Sequence, residues 1–253
     1  MINVLTFKCG SKYDYRSVNM LYRSILWQYD KPFNFHCMTD DPTNLDDRII
    51  VHPMQDDFPY EFNSLSLVKS GFAGIEDGEP CILLDIDIEV VNDPSPIFDF
   101  QLLPRQIGFI HKWWTYPYAQ GSFICGMAYR FTAGELDIFY NRFKEDPYHY
   151  TTKYIEFNGR KHKLQEPDIH VRGEQDYFLE CAGIYNFHMN LFPSFWAENV
   201  QPELEFEGYT IKSPRLVKYV DYKSMSDVKM EPIFKHYTGI VKDYVDKHYE
   251  LYR

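Results

Sequence analysis

The sequence is poor in basic residues, and this shortage excludes some classes of protein. Lysine and arginine number 26 against 37 acidic residues in a chain of 253, which gives a formal net charge of -11. A surface that binds phosphate backbones or anionic lipid needs a basic patch to displace counterions. The charge therefore argues against nucleic-acid and lipid binders, and a local basic groove for nucleic acid stays a minor alternative.

Long apolar runs and cysteine pairs are also missing. No segment approaches the ~20 apolar residues that span a bilayer, and the run from Met1 to Lys8 has no charged leader and is too short for a signal sequence. The five cysteines are odd in number, widely spaced and without a Cys-x-x-Cys pair. We therefore expect free thiols in a cytoplasmic, reducing compartment, with neither a disulfide framework nor a zinc site.

Short apolar runs alternate with helical patterns in the first half of the chain. This alternation predicts an α/β fold with a mostly parallel, Rossmann-like central sheet, helices on both faces, and ligands bound beyond the carboxyl ends of the strands. The predicted strands are Ile2–Phe7, Phe33–Met38, Ile49–Val51 and the fully apolar, central Ile82–Leu84. Two helices are predicted in this half. The apolar face of the first consists of Val18, Leu21, Tyr22, Ile25, Leu26 and Tyr29, and the second begins after Asn63-Ser64 and is marked by Leu65, Val68 and Phe72.

The second half begins in the same way and then becomes polar. Phe123–Tyr129 is a predicted strand, and Thr132 with Glu135 forms a capping box that predicts a helix start. The polar segment from Glu145 to Arg172 contains Asn158-Gly159, a two-residue turn signal that predicts a hairpin outside the sheet. No linker is long enough to force a second domain, so we expect residues 1–253 to form a single domain.

Two carboxylates follow the central strand, in the sequence Cys81-Ile-Leu-Leu-Asp85-Ile-Asp87-Ile-Glu89. Alternation along a strand would place Asp85 and Asp87 on the same side. Neighbouring carboxylates repel each other unless a cation or a proton lies between them, and a hard divalent ion is the usual solution. The alternative is a solvated strand end.

Two further polar motifs lie nearer the C-terminus. His236, Gly239 and Lys242 recur at three-residue steps and offer a metal ligand, a backbone that can approach a phosphate, and a cation for that phosphate. Arg172-Gly173-Glu174-Gln175-Asp176 opens a helical pattern, which is also typical of an ordinary helix start that is rich in acids.

Together, these motifs resemble the metal-dependent glycosyltransferases of the GT-A fold, in particular the retaining glycogenin and lipopolysaccharide galactosyltransferase family. The Asp-x-Asp of that family matches Asp85 and Asp87, and its His-x-x-Gly-x-x-Lys matches His236, Gly239 and Lys242 without a gap. The chain departs from the pattern at Glu174, Lys69 and Asp243-Tyr244, where the family often has Asp, Arg and Pro-Trp.

The resemblance implies a role for each matching residue. Asp85, Asp87 and His236 would bind the metal, and Glu174, Gln175 and Asp176 would lie at the donor sugar as the catalytic cluster. The first 100 residues would form the nucleotide-binding half and residues 101–253 the acceptor-side half. The donor-binding residues would be Thr6, Phe7, Lys8, Tyr13 (stacked on uracil), Lys69, Asp85, Gln120 (with Gly121 and Ser122), Gly239 and Lys242.

The implied reaction is transfer of a hexosyl or pentosyl group from a nucleoside-diphosphate sugar to a hydroxyl acceptor. A UDP-sugar is the preferred donor. The mixed carboxylate and imidazole set favours Mn²⁺, with Mg²⁺ as the alternative. The aromatic residues Trp113, Trp114, Tyr116 and Tyr118 are either an acceptor platform or part of the core.

Three other functions are compatible with parts of the pattern. A phosphatase of the haloacid dehalogenase type also has Asp-x-Asp after a strand, but usually nearer the N-terminus and with Thr or Val at the position of Glu89. A sugar nucleotidyltransferase would need a Gly-rich basic loop where this chain has Cys9-Gly10-Ser11. A non-catalytic nucleotide- or carbohydrate-binding module would keep the binding residues without turnover.

Overall fold

The computed structural model describes residues 1–58, 60–111, 124–151, 154–157, 160–163, 173–193, 196–199, 204–206, 209–211, 232–237 and 241–252. The strands are β1 (Ile2–Lys8), β2 (Phe33–Thr39), β3 (Ile50–Pro53), β4 (Pro80–Leu84), β5 (Ile88–Val90), β6 (Gln106–His111), β7 (Ile124–Thr132), β8 (Tyr154–Phe157), β9 (Arg160–Lys163), β10 (His188–Phe192), β11 (Ala197–Asn199), β12 (Leu204–Phe206), β13 (Tyr209–Ile211) and β14 (Phe234–His236). The α-helices are α1 (Tyr15–Gln28), α2 (Ser95–Phe98), α3 (Asp137–Glu145), α4 (Pro147–Thr151), α5 (Glu174–Ile184) and α6 (Val241–His248). The segments Tyr60–Leu67, Phe72–Gly74 and Tyr249–Tyr252 are 3-10 helices.

Seven strands form the central sheet, in the order β10-β6-β7-β4-β1-β2-β3. β7 runs antiparallel to both of its neighbours, β4 and β6, and the other four neighbouring pairs are parallel. β4 is the middle strand, as its fully apolar sequence predicted. The mostly parallel α/β sheet expected from the sequence is therefore confirmed.

Both faces of this sheet are buried. Successive side chains of a strand point to opposite sides, so neighbouring residues of one strand pack in different hydrophobic clusters. Leu5 and Leu83 belong to a hydrophobic cluster that includes α3, α5 and the 3-10 helix Tyr60–Leu67. Val4 and Ile82 belong to a second cluster, which includes α1. The expected covering of both faces by helices is confirmed.

Helix α1 forms where the apolar spacing predicted it. Asp14 precedes the helix, and its carboxylate accepts a hydrogen bond from the Arg16 N–H, as an N-cap does. Val18, Leu21 and Ile25 are fully buried, whereas Leu26, expected on the same face, is 44% exposed. The buried stripe is therefore narrower than the sequence indicated.

The helix predicted after Asn63-Ser64 is wrong in type and extent. A 3-10 helix spans Tyr60–Leu67 instead, and Gly71, with φ at +68°, separates it from the next turn. The side chain of Asn63 donates to the Phe58 carbonyl, and the Ser66 hydroxyl donates to Asp56. Such side-chain bonds compete with regular α-helical geometry.

The capping box at Thr132 and Glu135 is also wrong, although the helix after it exists. Thr132 is the last residue of β7, and Gly134 has φ at +81°, so α3 begins only at Asp137. The Glu135 carboxylate accepts a hydrogen bond from the Arg105 N–H instead of capping the helix. Tertiary contact with the loop before β6 has replaced the local cap.

The predicted polar hairpin is present as the antiparallel pair β8 and β9. Its turn, Asn158-Gly159, lies outside the described residues, as do residues 112–123 with the four aromatic residues of the acceptor hypothesis. Among the described residues, every helix is too short or too polar to cross a membrane.

Candidate functional site

The two carboxylates converge because the chain turns directly after β4. The N–H of Asp85 donates to the Met127 carbonyl at 3.0 Å and so prolongs the pairing of β4 with β7. Ile86 and Asp87 then form a turn before β5 begins at Ile88. The expected convergence of Asp85 and Asp87 is present, but a turn produces it, not the alternation of a continuous strand.

A second, three-stranded sheet brings His236 to this turn. Its order is β11-β14-β5, and β14 pairs antiparallel with β5 so that His236 lies opposite Ile88. The N–H of Tyr237 donates to the Asp87 carbonyl at 3.0 Å, and the hydroxyl of Tyr237 donates to the Ile86 carbonyl at 3.1 Å. Backbone pairing therefore fixes the strand end that carries the imidazole.

Asp85, Asp87 and His236 form a compact triad. One potential ligand atom from each lies within 4.8 Å of the others, and Nε2 of His236 is 3.3 Å from Oδ1 of Asp87. The sequence placed these three residues in one metal site, and the structure brings them together at the carboxyl end of the middle strand.

The electrostatics of the triad are those of a site that attracts a cation. Burial and the charge of Asp87 raise the pKa of Asp85 to about 7, against the smaller opposing effects of His236 and Lys12. Burial alone would lower the pKa of His236, but the hydrogen bond that its ring donates to Asp87 and the charges of both carboxylates raise it overall. The buried carboxylate of Asp87, the half-buried carboxylate of Asp85 and an imidazole at these distances suit a divalent ion with open positions for phosphate oxygens.

The loop after β1 reaches the same triad. The hydroxyl of Tyr13 donates to Oδ2 of Asp87 at 2.7 Å, and the ammonium of Lys12 lies 4.6 Å from the centre of the Tyr13 ring. The charge of Lys12 lowers the pKa values of both Asp85 and His236. Sequence reasoning missed Lys12, and the signal that could have found it is a basic residue in the first strand-to-helix loop.

The three residues at the end of β1 differ in their surroundings. Thr6 is fully buried, and its hydroxyl has no hydrogen-bond partner within the described part of the chain. Phe7 packs against the first hydrophobic cluster. Lys8 is 4% exposed, with Nζ 3.8 Å from the Asp40 carboxylate and within 3.5 Å of the Asp41 carbonyl. Lys8 is thus a buried cation beside the loop that carries Tyr13.

The predicted diphosphate residue Lys69 makes its contacts elsewhere. Its Nζ donates to the Gln55 side chain at 3.1 Å and lies 5.7 Å from the centre of the Tyr140 ring. Among the described residues, these contacts belong to the loop before the 3-10 helix Tyr60–Leu67 and to α3. The predicted role of Lys69 at the diphosphate stays a prediction.

The N-terminal turn of α5 lies next to Asp85. Glu174 is 7% exposed, and burial, followed by the charges of Asp85 and Glu61, raises its pKa well above the usual value. Gln175 lies against Gly126: a Cβ atom at that glycine would be 2.6 Å from Nε2 of Gln175. Gly126 precedes Met127, whose carbonyl accepts the hydrogen bond from the Asp85 N–H. Two of the predicted catalytic residues, Glu174 and Gln175, therefore lie on the Asp85 side of the triad, and the half-buried Asp176 follows on the same helix turn.

The C-terminal segment contacts β5, the strand that follows the turn. Lys242 is exposed on α6, and Tyr244, on the same helix, donates to the buried carboxylate of Glu89. Tyr252 donates to the second oxygen of Glu89. Gln120 and Gly239 lie outside the described residues, so their predicted roles stay predictions.

Comparison with known proteins identifies the fold. No family model matches the chain, and no curated protein does. The galactosyltransferase LgtC in complex with donor and acceptor sugar analogues superposes with a TM-score of 0.61 at 13% identity, covering 99% of this chain and 93% of that one. An active-site mutant of LgtC gives 0.61 at 12% identity, with 94% and 87% covered.

The glycosyltransferase GlyE of Streptococcus pneumoniae TIGR4 gives a TM-score of 0.59 at 10% identity, with all of this chain and 63% of that chain covered. At such low identities the similarity establishes the fold. The chain has the GT-A fold of LgtC over nearly its whole length, as the sequence resemblance implied.

Proposed function

We propose that this protein is a glycosyltransferase that depends on a divalent metal. It would move a hexosyl or pentosyl group from a nucleoside-diphosphate sugar, preferably a UDP-sugar, to a hydroxyl acceptor. The observation that carries the proposal is the triad of Asp85, Asp87 and His236 at the carboxyl end of the middle strand. Ligands of open α/β sheets bind at this edge. The same fold in LgtC and GlyE favours glycosyl transfer over the phosphatase alternative.

The donor set favours Mn²⁺ over Mg²⁺, because an imidazole joins the two carboxylates. A bound divalent ion would neutralise the charge that the departing diphosphate gains as its bond to the sugar breaks. Lys242 would add a positive charge at the same phosphates, together with the Gly239 backbone. Lys69, whose ammonium donates to Gln55, would be a second cation for the diphosphate.

The donor nucleoside would bind at the loop after β1. Thr6, Phe7 and Lys8 end the strand, and Tyr13 offers an aromatic ring beside the triad. Within the 1–100 half, these residues and Asp85 would hold the nucleotide, and Gln120 would reach it from the 101–253 half. The acceptor would enter from the second half.

The chemistry would be retaining, and its centre would be the start of α5. The bond between the anomeric carbon and the diphosphate oxygen breaks while the acceptor oxygen attacks from the same face, and the acceptor proton passes to the departing phosphate. The side-chain carbonyl of Gln175 would stabilise the oxocarbenium-like centre. Glu174 and Asp176 flank it on the same helix turn.

The test is a thermal-shift panel of UDP, GDP, CDP and UMP, each with Mn²⁺ and with a chelator. A ligand at a hundred times its dissociation constant adds about 2.7 kcal/mol to the free energy of unfolding, so a metal-dependent shift with one nucleoside diphosphate would support the donor site. Asp87→Asn should remove the shift, whereas Asp47→Asn, at an exposed carboxylate, should keep it.

The outcomes separate the alternatives. Binding without hydrolysis or transfer of any nucleotide sugar would favour the non-catalytic module. No shift with any diphosphate, or unchanged sugar transfer by Asp87→Asn, would overturn the proposal.

A further inference from the structure

The two carboxylate oxygens of Asp87 face different partners. Oδ1 lies 3.3 Å from Nε2 of His236, which belongs to the metal triad. Oδ2 accepts a hydrogen bond of 2.7 Å from the hydroxyl of Tyr13, which belongs to the loop after β1. The first oxygen is thus on the metal side of the carboxylate, and the second is on the side of the loop.

This arrangement fixes the rotation of the carboxylate. A single ligating oxygen leaves the carboxylate free to turn about its bond to Cβ, and a donor on the other oxygen removes that freedom. We propose that Tyr13 is a positioning residue for the metal: its hydroxyl orients Asp87 and thereby couples the first loop of the chain to the metal site. The inference deepens the proposed function, on which it rests, because that function assigns the metal to the triad.

Burial makes the hydrogen bond consequential. The side chain of Asp87 is only 5% exposed, so water has little access to replace a lost donor. A buried carboxylate oxygen that loses its donor carries a larger penalty than an exposed one. Partners that hydrogen-bond to ligating carboxylates typically contribute about 10- to 100-fold to metal affinity.

Tyr13 is itself held in place on both sides. Its ring packs against the second hydrophobic cluster, and the next residue, Asp14, caps α1. Arg16, two residues after Asp14, forms ion pairs with Asp14 and with Asp246 of α6. A side chain anchored in this way can transmit a constraint from the loop to Asp87.

The coupling has a thermodynamic consequence. We expect a ligand that stacks on the Tyr13 ring to strengthen metal binding, and the metal then strengthens binding of that ligand by the same factor. Uridine separates coupling through Tyr13 from direct contact between ligand and metal, because a nucleoside without phosphate groups offers the metal no phosphate oxygen. Coupling between uridine and Mn²⁺ would therefore pass through the protein.

The first experiment measures Mn²⁺ binding without any nucleotide, by electron paramagnetic resonance of free Mn²⁺ or by calorimetry. Tyr13→Phe keeps the ring and removes the hydroxyl, and we expect its dissociation constant for Mn²⁺ to rise about 10- to 100-fold. Tyr15→Phe is the matched control: Tyr15 packs edge-to-face on Tyr249, and its variant should bind Mn²⁺ as the wild type does. Equal or tighter binding by Tyr13→Phe would overturn the positioning role.

The second experiment repeats these titrations with saturating uridine. Uridine should tighten Mn²⁺ binding by the wild type and have no such effect on Tyr13→Phe. An equal effect on both proteins, or none on the wild type, would overturn the coupling. A wild type that binds no Mn²⁺ would instead refute the metal site of the proposed function, so the two failures are distinguishable. Melting temperatures of all three proteins in chelator show that each is folded.

Discussion

The hydroxyl of Tyr244 donates a hydrogen bond to the buried carboxylate of Glu89, two residues beyond Asp87. Tyr252 donates to the other oxygen of the same carboxylate, so a single acidic side chain holds both α6 and the 3-10 helix that follows it. The C-terminal segment that carries Lys242 is therefore bonded directly to β5, the strand that follows Asp85 and Asp87.

Removing either hydroxyl should loosen this attachment. Hydrogen bonds to charged groups contribute about 1.5–3 kcal/mol each, and we expect Tyr244→Phe and Tyr252→Phe each to lower the free energy of unfolding by about that amount. Urea unfolding in chelator measures the change. Tyr185→Phe, in which a ring stacked on Phe139 is retained, should stay within about 0.5 kcal/mol of the wild type. Losses no larger than that of the control would show that Glu89 does not anchor the segment.

The metal-free triad should depend on pH in a defined direction. Asp85 has a pKa of about 7 in the folded protein against a usual value of 3.8, so the unfolded chain loses its proton first as the pH rises. Stability is therefore lost between about pH 4 and pH 7. In chelator, Asp85→Asn should be more stable than the wild type at pH 8, by up to about 4 kcal/mol, and equally stable near pH 4.

Urea unfolding at several pH values checks this prediction. With saturating Mn²⁺ the order at pH 8 should reverse, because Asp85→Asn lacks one ligand of the triad. A difference between the two proteins in chelator that does not change with pH would contradict the prediction.

The sequence predicted those parts of the molecule that depend on local chemistry. An apolar strand followed by two carboxylates predicted β4 and its exit, because residue type and order along the chain carry that information. The resemblance of the His236, Gly239 and Lys242 motif to the glycosyltransferase family predicted that His236 would join them, and the structure brings the three residues together. The apolar stripe of α1 is likewise a local pattern, fixed by the 3.6-residue repeat.

The parts that the sequence did not predict depend on tertiary contact. The hydrogen bonds from Tyr13 to Asp87 and from Tyr244 to Glu89 join segments that are distant in the chain. No rule of sequence spacing relates the two partners of such a bond. The expected cap at Glu135 failed for the same reason, because the carboxylate binds the Arg105 N–H instead.

Thiol reactivity should report on the proposed nucleoside loop. The five cysteines are free; Cys9 is half-buried, whereas burial raises the pKa values of Cys37 and Cys81 to about 12. Iodoacetamide at pH 8 should therefore modify the native protein at Cys9. The reaction should be slow, because burial and the charge of Asp40 raise the pKa of this thiol. All five cysteines should react only after denaturation. Peptide mass spectrometry measures the sites. Saturating UDP with Mn²⁺ should protect Cys9, and undiminished labelling would place the nucleoside elsewhere.

The contact between Gly126 and Gln175 allows the catalytic assignment to be tested separately from metal binding. In Gly126→Ala, the new Cβ would lie 2.6 Å from Nε2 of Gln175, so the flexible amide must move while the strand stays in place. We expect sugar transfer to fall roughly 10- to 100-fold, with the Mn²⁺ dissociation constant and the melting temperature nearly unchanged. Gly183→Ala lies on the exposed end of α5, where no atom of the described residues beyond the adjoining helix backbone is within 4 Å of the new Cβ. It should keep full activity and gain about 0.5–1 kcal/mol of stability. Full activity in Gly126→Ala would remove Gln175 from the reaction centre.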